Sequence, residues 1–173
     1  MDKGYFQIYT GDGKGKTTAA IGLAARAAGA GMRVYIGQFI KSIEYNEIKM
    51  LRERFPEITI ELYGDKGCIY KREADETDLI SAKKGLASAR KALTSGQFDV
   101  VILDEIMIGI HFSLFDVNTV LSMVDDKAPK TEVVMTGRYA PESLIDRANL
   151  VTEMKNIRHY YNSGVQARDG IER

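Results

Sequence analysis

The residues Thr10-Gly11-Asp12-Gly13-Lys14-Gly15-Lys16-Thr17-Thr18 carry the strongest chemical signal in the chain. Gly11, Gly13 and Gly15 let the backbone turn so that successive N–H groups point inward as an anion nest. A helix starting at Lys16 adds the partial positive charge of its N-terminus. Lys16 is placed to reach a polyphosphate, and the Thr17 hydroxyl to ligate Mg²⁺. The loop is a variant: three residues rather than four separate Gly11 from Gly15-Lys16, Thr10 holds the usual first position, and Lys14 is an extra cation.

A second signal is Asp104-Glu105, which closes the apolar run Val100-Val101-Ile102-Leu103. An acidic residue at the end of a buried strand, beside a phosphate loop, holds Mg²⁺ directly or through water. Spacing does not choose between Asp104 and Glu105. Arg138, after Val133-Val134-Met135-Thr136-Gly137, reads either as a planar clamp for a phosphate or as half of a surface ion pair. Lys41, after Phe39-Ile40, has the same two readings. Arg26 lies in an apolar helix and is expected to pair with a buried carboxylate, a phosphate contact being the alternative. His111 and His159 are not spaced as a metal pair, and structural roles are expected for both. No Ser/His/Asp or Cys/His arrangement is legible. The Asn-Lys-x-Asp tetrapeptide of guanine-selective loops is absent, which favours ATP over GTP.

The elements that must position these groups alternate. Phe6–Tyr9 reads as a strand, Lys16–Ala30 as an alanine-rich helix buried on more than one side, and Val34–Ile40 as a second strand. A helix from about Glu44 to Arg54 is stopped by Pro56, and Ile58–Leu62 is a third strand. After an irregular stretch, Tyr63–Glu73, the spacing of Leu79, Lys83, Leu86, Arg90 and Leu93 predicts a helix ending before Gly96. Val100–Leu103 is a buried parallel strand by pattern. Asp116 caps a helix through Val124, Val133–Met135 is a fifth strand, Pro141 opens a helical turn, and Leu150–Thr152 is a sixth strand. This alternation predicts an α/β fold with a mostly parallel sheet of about six strands and helices on both faces. Such sheets bind ligands at the carboxyl edge of their strands, so Gly11–Thr17, Lys41–Glu44, Tyr63–Glu73, Asp104–Glu105, Gly137–Tyr139 and Lys155–His159 should converge.

The 173 residues suit one domain, 1–173, with no linker or repeat. Lys and Arg number 24, as do Asp and Glu, so the net charge is zero; this argues against a general nucleic-acid or membrane-surface binder. The single cysteine, Cys68, excludes an internal disulfide and multi-cysteine metal sites. No apolar run reaches the length of a membrane span and no signal peptide opens the chain, so a cytoplasmic protein is expected.

Six stretches together resemble the P-loop type ATP:corrinoid (cob(I)alamin) adenosyltransferases. They are Thr10–Arg26, Gln38-Phe39-Ile40-Lys41, Arg72-Glu73-Ala74-Asp75, Val101–Glu105, Thr136-Gly137-Arg138, and the tail from His159 through Gly164-Val165 to Gly170-Ile171-Glu172. The resemblance implies a RecA-like P-loop fold, commonly a homodimer, and transfer of the 5′-deoxyadenosyl group of ATP to the reduced cobalt of a corrinoid such as cobalamin or cobinamide, with an electron donor supplying that reduced state. It implies that ATP lies in the opposite sense to that in ordinary P-loop hydrolases. Gly11, Asp12, Gly13, Lys14, Gly15, Lys16, Thr17 and Thr18 would bind the triphosphate, with Lys41 and Arg138 near it. Thr17 and Glu105 would ligate Mg²⁺, and Lys16 and Glu105 would be the catalytic pair. The family often has a Phe and a Trp shortly before the Arg-Glu-Ala-Asp stretch, which help to displace the lower cobalt ligand. Here Asp65 and Gly67 stand at those places, with Tyr63, Ile69 or Tyr70 as alternatives. Family members also often carry a longer N-terminal segment that helps to cover the corrinoid. Two other readings stand beside the transferase: another P-loop kinase or ATPase, releasing ADP, and a non-catalytic nucleotide or corrinoid binder.

Overall fold

Short β-branched runs joined by helix-length segments have the connections that parallel pairing needs, because such a connection must cross the sheet before the next strand begins. The computed structural model describes residues 2–64 and 74–172. Its strands are β1 (Phe6–Thr10), β2 (Val34–Phe39), β3 (Ile58–Tyr63), β4 (Val100–Asp104), β5 (Glu132–Thr136) and β6 (Leu150–Glu153). They form one sheet in the order β3-β2-β4-β5-β1-β6. Every pairing is parallel, where the sequence predicts a mostly parallel sheet. The helices are α1 (Lys16–Gly29), α2 (Asn46–Arg54), α3 (Glu76–Thr94), α4 (Ile106–His111), α5 (Val117–Asp125) and α6 (Glu142–Arg147).

Strand residues alternate between two apolar layers, as the pleat requires. Val34, Ile36, Val100, Ile102 and Val134 pack under α1 and α2. Tyr35, Val101, Leu103, Val133 and Met135 pack against α3, α5 and the shorter α4 and α6. Both faces of the sheet are thereby covered, which is why its central strands read as unbroken apolar runs.

Two sequence expectations change. The alanine-rich α1 buries one stripe, Ala20, Ala24, Ala27 and Ala28, rather than several sides; Ala19, Gly22 and Arg26 on its other side are exposed. Small residues on the buried stripe serve close approach to the sheet. Arg26 is accordingly solvent-facing instead of paired with a buried carboxylate. Helix α4 is also new. Its Ile106, Met107, Ile108 and Gly109 are all buried, so it shows no amphipathic period, and the sequence pattern assigns no element there. Asp75, quoted above within Arg72–Asp75, proves to be the N-cap of α3, and Asp78 returns the bond in a capping box. Cys68 and the expectations placed on Asp65, Gly67, Ile69 and Tyr70 lie outside the described residues. Among the described residues no helix is long and apolar enough to cross a membrane.

Candidate active site

The phosphate loop is braced by the end of the neighbouring strand. Gly13 donates its N–H to the Met154 carbonyl at 2.7 Å, and Met154 donates to the Thr10 carbonyl at 2.8 Å. A Cβ on Gly11 or Gly13 would sit 2.5 or 2.6 Å from the Met154 carbonyl oxygen, so no larger residue fits at either place. Thr10 is the last residue of β1, paired with Glu153. The turn therefore starts one residue late, at Gly11 with φ 94°, which accounts for the missing first glycine. Lys16 folds back onto this loop. Its Nζ donates to the Gly11 and Gly13 carbonyls at 2.6 and 2.7 Å. Burial holds its pKa below the ordinary lysine value.

Asp104 is a hub. Thr17 and Thr136 donate to Oδ1 at 2.9 and 2.6 Å; Gln38 and Lys41 donate to Oδ2 at 2.9 and 2.7 Å. The carboxylate is 1% exposed. Burial alone pushes its pKa up, but the Lys41 charge and these hydrogen bonds outweigh burial and hold it below the usual value. Thr136 comes from β5, the strand between β4 and β1, and so bridges the two halves of the site.

Glu105 has the opposite environment. It stands at φ 59° between β4 and α4, with its N–H given to Thr136 Oγ1 at 3.0 Å. Its Oε2 is buried and without a hydrogen-bond partner, a condition shared among the described residues only with Gln38 Oε1. Burial first, and then the negative charge of Asp104, raises its pKa. The spacing of Asp104 and Glu105 is ambiguous; the geometry is not. Asp104 has spent its oxygens on protein donors, and Glu105 keeps one free.

A cavity of about 830 Å³ opens above these groups. Every expected site residue except Gly11 lines it: Asp12, Gly13, Lys14, Gly15, Lys16, Thr17, Thr18, Lys41, Glu105 and Arg138. Gly11 acts from behind, as an acceptor for Lys16. Arg138 Nε lies 4.0 Å from Asp12 Oδ1. The tail closes one wall through His159, Gly170, Ile171 and Glu172. Lys14 ties it down by donating to Tyr160 Oη, the Ile171 carbonyl and Glu172 Oε1 at 3.0, 3.1 and 2.8 Å. Arg168 lies 4.9 Å over the Tyr160 ring and donates to Glu172. Asn46, at the start of α2, bonds Asp169 at 2.8 Å.

A family model described as ATP:corrinoid adenosyltransferase BtuR/CobO/CobP matches residues 2–173. The chain belongs to the ATP:corrinoid adenosyltransferase family. It is 34% identical to a corrinoid adenosyltransferase of Sinorhizobium sp. over 99% of this chain and 81% of that one. It is 31% identical to the corrinoid adenosyltransferase of Pseudomonas aeruginosa over 99% and 84%, and 30% identical to that of Escherichia coli K12 over 99% and 86%. Flagellar accessory protein FlaH of Methanocaldococcus jannaschii has a similar fold, at TM-score 0.60 and 16% identity over 88% of this chain and 72% of that one.

In this adenosyltransferase three contributors escape a sequence reading. Gln38 and Thr136 stand inside quoted motifs, and a polar residue within an otherwise apolar strand is the signal that could have found each. Met154 acts through its backbone, which leaves no side-chain signature. His111 stacks on Tyr139 with ring centroids 4.1 Å apart, and His159, which lines the cavity, accepts the Tyr161 N–H on Nδ1 at 3.1 Å.

Proposed function

We propose that the cavity takes MgATP with its triphosphate on the loop Gly11 to Thr17. The reduced cobalt of a corrinoid, Co(I), then attacks the ribose 5′ carbon. Its electron pair forms the cobalt–carbon bond while the bond to the triphosphate oxygen breaks and triphosphate leaves. Lys14, Lys16, Lys41 and Arg138 facing one cavity are the observation that carries this reading. The leaving group gathers negative charge, and fixed cations offset it. Cobalt brings an electron pair and no proton, so no general base is required. Family likeness further supports a homodimer and a separate electron donor for the cobalt.

The donor set fits Mg²⁺, which favours one or two carboxylates plus substrate phosphates. Glu105 Oε2 is a buried acceptor with nothing to accept from. Thr17 gives its proton to Asp104 and accepts from Lys41 at 3.3 Å, which leaves one hydroxyl lone pair for the cavity. Thr17 and Glu105 would hold the ion, and when bound it would draw charge from the triphosphate. The Glu105→Gln variant is expected to unfold a few degrees higher than the parent without nucleotide, because a buried unpartnered anion is replaced by a neutral amide; relief of about 1 kcal/mol corresponds to ~2–4 °C in a chain this size. The same variant should lose its response to Mg²⁺ in turnover. Thermal melts and a Mg²⁺ titration read the two effects, and an unchanged Mg²⁺ response would move the metal role elsewhere.

The tail bears on nucleotide retention. Glu172→Gln removes the charge that ties Lys14 and Arg168, and a fluorescent ATP analogue is expected to dissociate several-fold faster in stopped flow. Equal dissociation rates would show that the tail does not retain nucleotide.

The reaction itself is tested anaerobically with MgATP and chemically reduced cobalamin or cobinamide. A light-sensitive alkyl-cobalt spectrum with equimolar triphosphate is the expected result. Release of ADP with an unaltered corrinoid would overturn the proposal in favour of phosphoryl transfer.

A further inference from the structure

Arg138 stands on an unusual turn. Gly137 has φ 145° and Tyr139 has φ 60°. The second is a left-handed conformation that strains a bulky residue. Tyr139 is 50% exposed, so burial of the ring does not hold it there. Its ring instead lies on the His111 imidazole, centroids 4.1 Å apart and planes 25° from parallel. His111 ends α4, the helix that begins directly after Glu105. Its other ring neighbour is Phe112, edge-on at 5.1 Å.

The opposite end of the turn is pinned by backbone. Gly137 donates to the Tyr9 carbonyl at 3.2 Å. It also runs so close to α4 that a Cβ there would sit 2.9 Å from Met107 Cβ. Arg138 lies between these two anchors. Its own ion pair among the described residues is the 4.0 Å approach to Asp12, and both side chains are largely exposed. Little along the Arg138 side chain fixes its direction, so the backbone on either side must. Neither His111 nor Tyr139 lines the cavity.

We propose that the His111–Tyr139 stack is a positioning device for Arg138. The stack holds the turn 137–139 in its left-handed form, which keeps the guanidinium at the cavity, and it ties that turn to the helix behind Glu105. This rests on the reading of Arg138 as a phosphate contact.

The test is a mutant cycle on the full-length protein, reading KM for ATP, kcat and Tm. Arg138→Ala is expected to raise KM for ATP about tenfold, the scale of one charge-assisted contact. Tyr139→Gly relieves the backbone, because glycine accepts φ 60° freely; its Tm should hold or rise while KM for ATP rises about three- to tenfold. His111→Ala should raise KM to the same extent, and His111→Phe, which keeps a stacking ring, should restore KM. In the Arg138→Ala background Tyr139→Gly should add nothing, since both act through one contact. If Arg138→Ala leaves KM unchanged, the phosphate reading of Arg138 fails and the proposal with it. If Arg138→Ala acts but Tyr139→Gly and His111→Ala do not, only the stacking proposal is overturned. Additive effects in the double variant would likewise overturn it.

Discussion

Lys16→Ala is expected to lower kcat/KM for ATP by ~10³-fold or more, a loss of about 4 kcal/mol of transition-state stabilisation. Two roles vanish together. The ammonium is the buried cation of the loop, 7% exposed, and in a site of low dielectric its attraction for a leaving polyphosphate is not replaced by water. It also holds the loop's shape, because its two hydrogen bonds run to the Gly11 and Gly13 carbonyls. Its lowered pKa shows that burial acts against this charge, and a polyanion arriving in the cavity relieves that penalty. Single-turnover kinetics with reduced corrinoid check the loss, and a melt in the absence of nucleotide separates it from unfolding. Turnover within tenfold of the parent would overturn the assignment of the phosphate loop.

Asp104→Asn is expected to carry the largest cost to stability, about 3–5 kcal/mol, or on the order of 10 °C in Tm for a chain of this size. All four partners of Asp104 are donors. An asparagine can turn its NH₂ group only toward the two threonine hydroxyls, which must then rotate to accept, and it offers Gln38 and Lys41 a neutral carbonyl in place of a carboxylate. The substitution also leaves Lys41, 21% exposed, beside a neutral group. Urea unfolding measures the difference, and a change under about 1 kcal/mol would show that the hub carries little strength.

The same hub sets a pH dependence. The folded pKa of Asp104 is depressed, so its contribution is present above the unfolded carboxylate value of about 3.9 and drains away as pH falls through the folded value. Lys41 is raised: burial lowers its pKa, but Asp104 more than compensates. Its contribution is present below the unfolded lysine value of about 10.4 and is lost as pH rises through the folded one. The parent's margin over Asp104→Asn should therefore be largest near neutral pH and shrink on both sides, the alkaline fall starting below the unfolded lysine value because Lys41 without Asp104 keeps only the penalty of burial. A margin that did not fall in acid would sink the assignment of the charged pair.

The amino-acid sequence by itself determined the sheet and the address of the site. Runs such as Val100–Leu103, with helix-length connections between them, admit little but a parallel α/β sheet, because both patterns are local and repeat along the chain. Gly13, Gly15, Lys16 and Thr17 are equally local: the loop's chemistry is written in consecutive residues, and so is the likeness to the adenosyltransferases. Tertiary structure alone decided which acid is free. Asp104 and Glu105 are neighbours in sequence, but four donors from β2, α1, β5 and the Lys41 loop meet on the first, and among the described residues none reaches Oε2 of the second. It also decided that Met154 braces the loop, that α1 buries a single stripe, and that Tyr139 rests on His111. Each of those outcomes depends on groups brought together from distant parts of the chain, and neither spacing nor composition records a contact made through backbone or across strands.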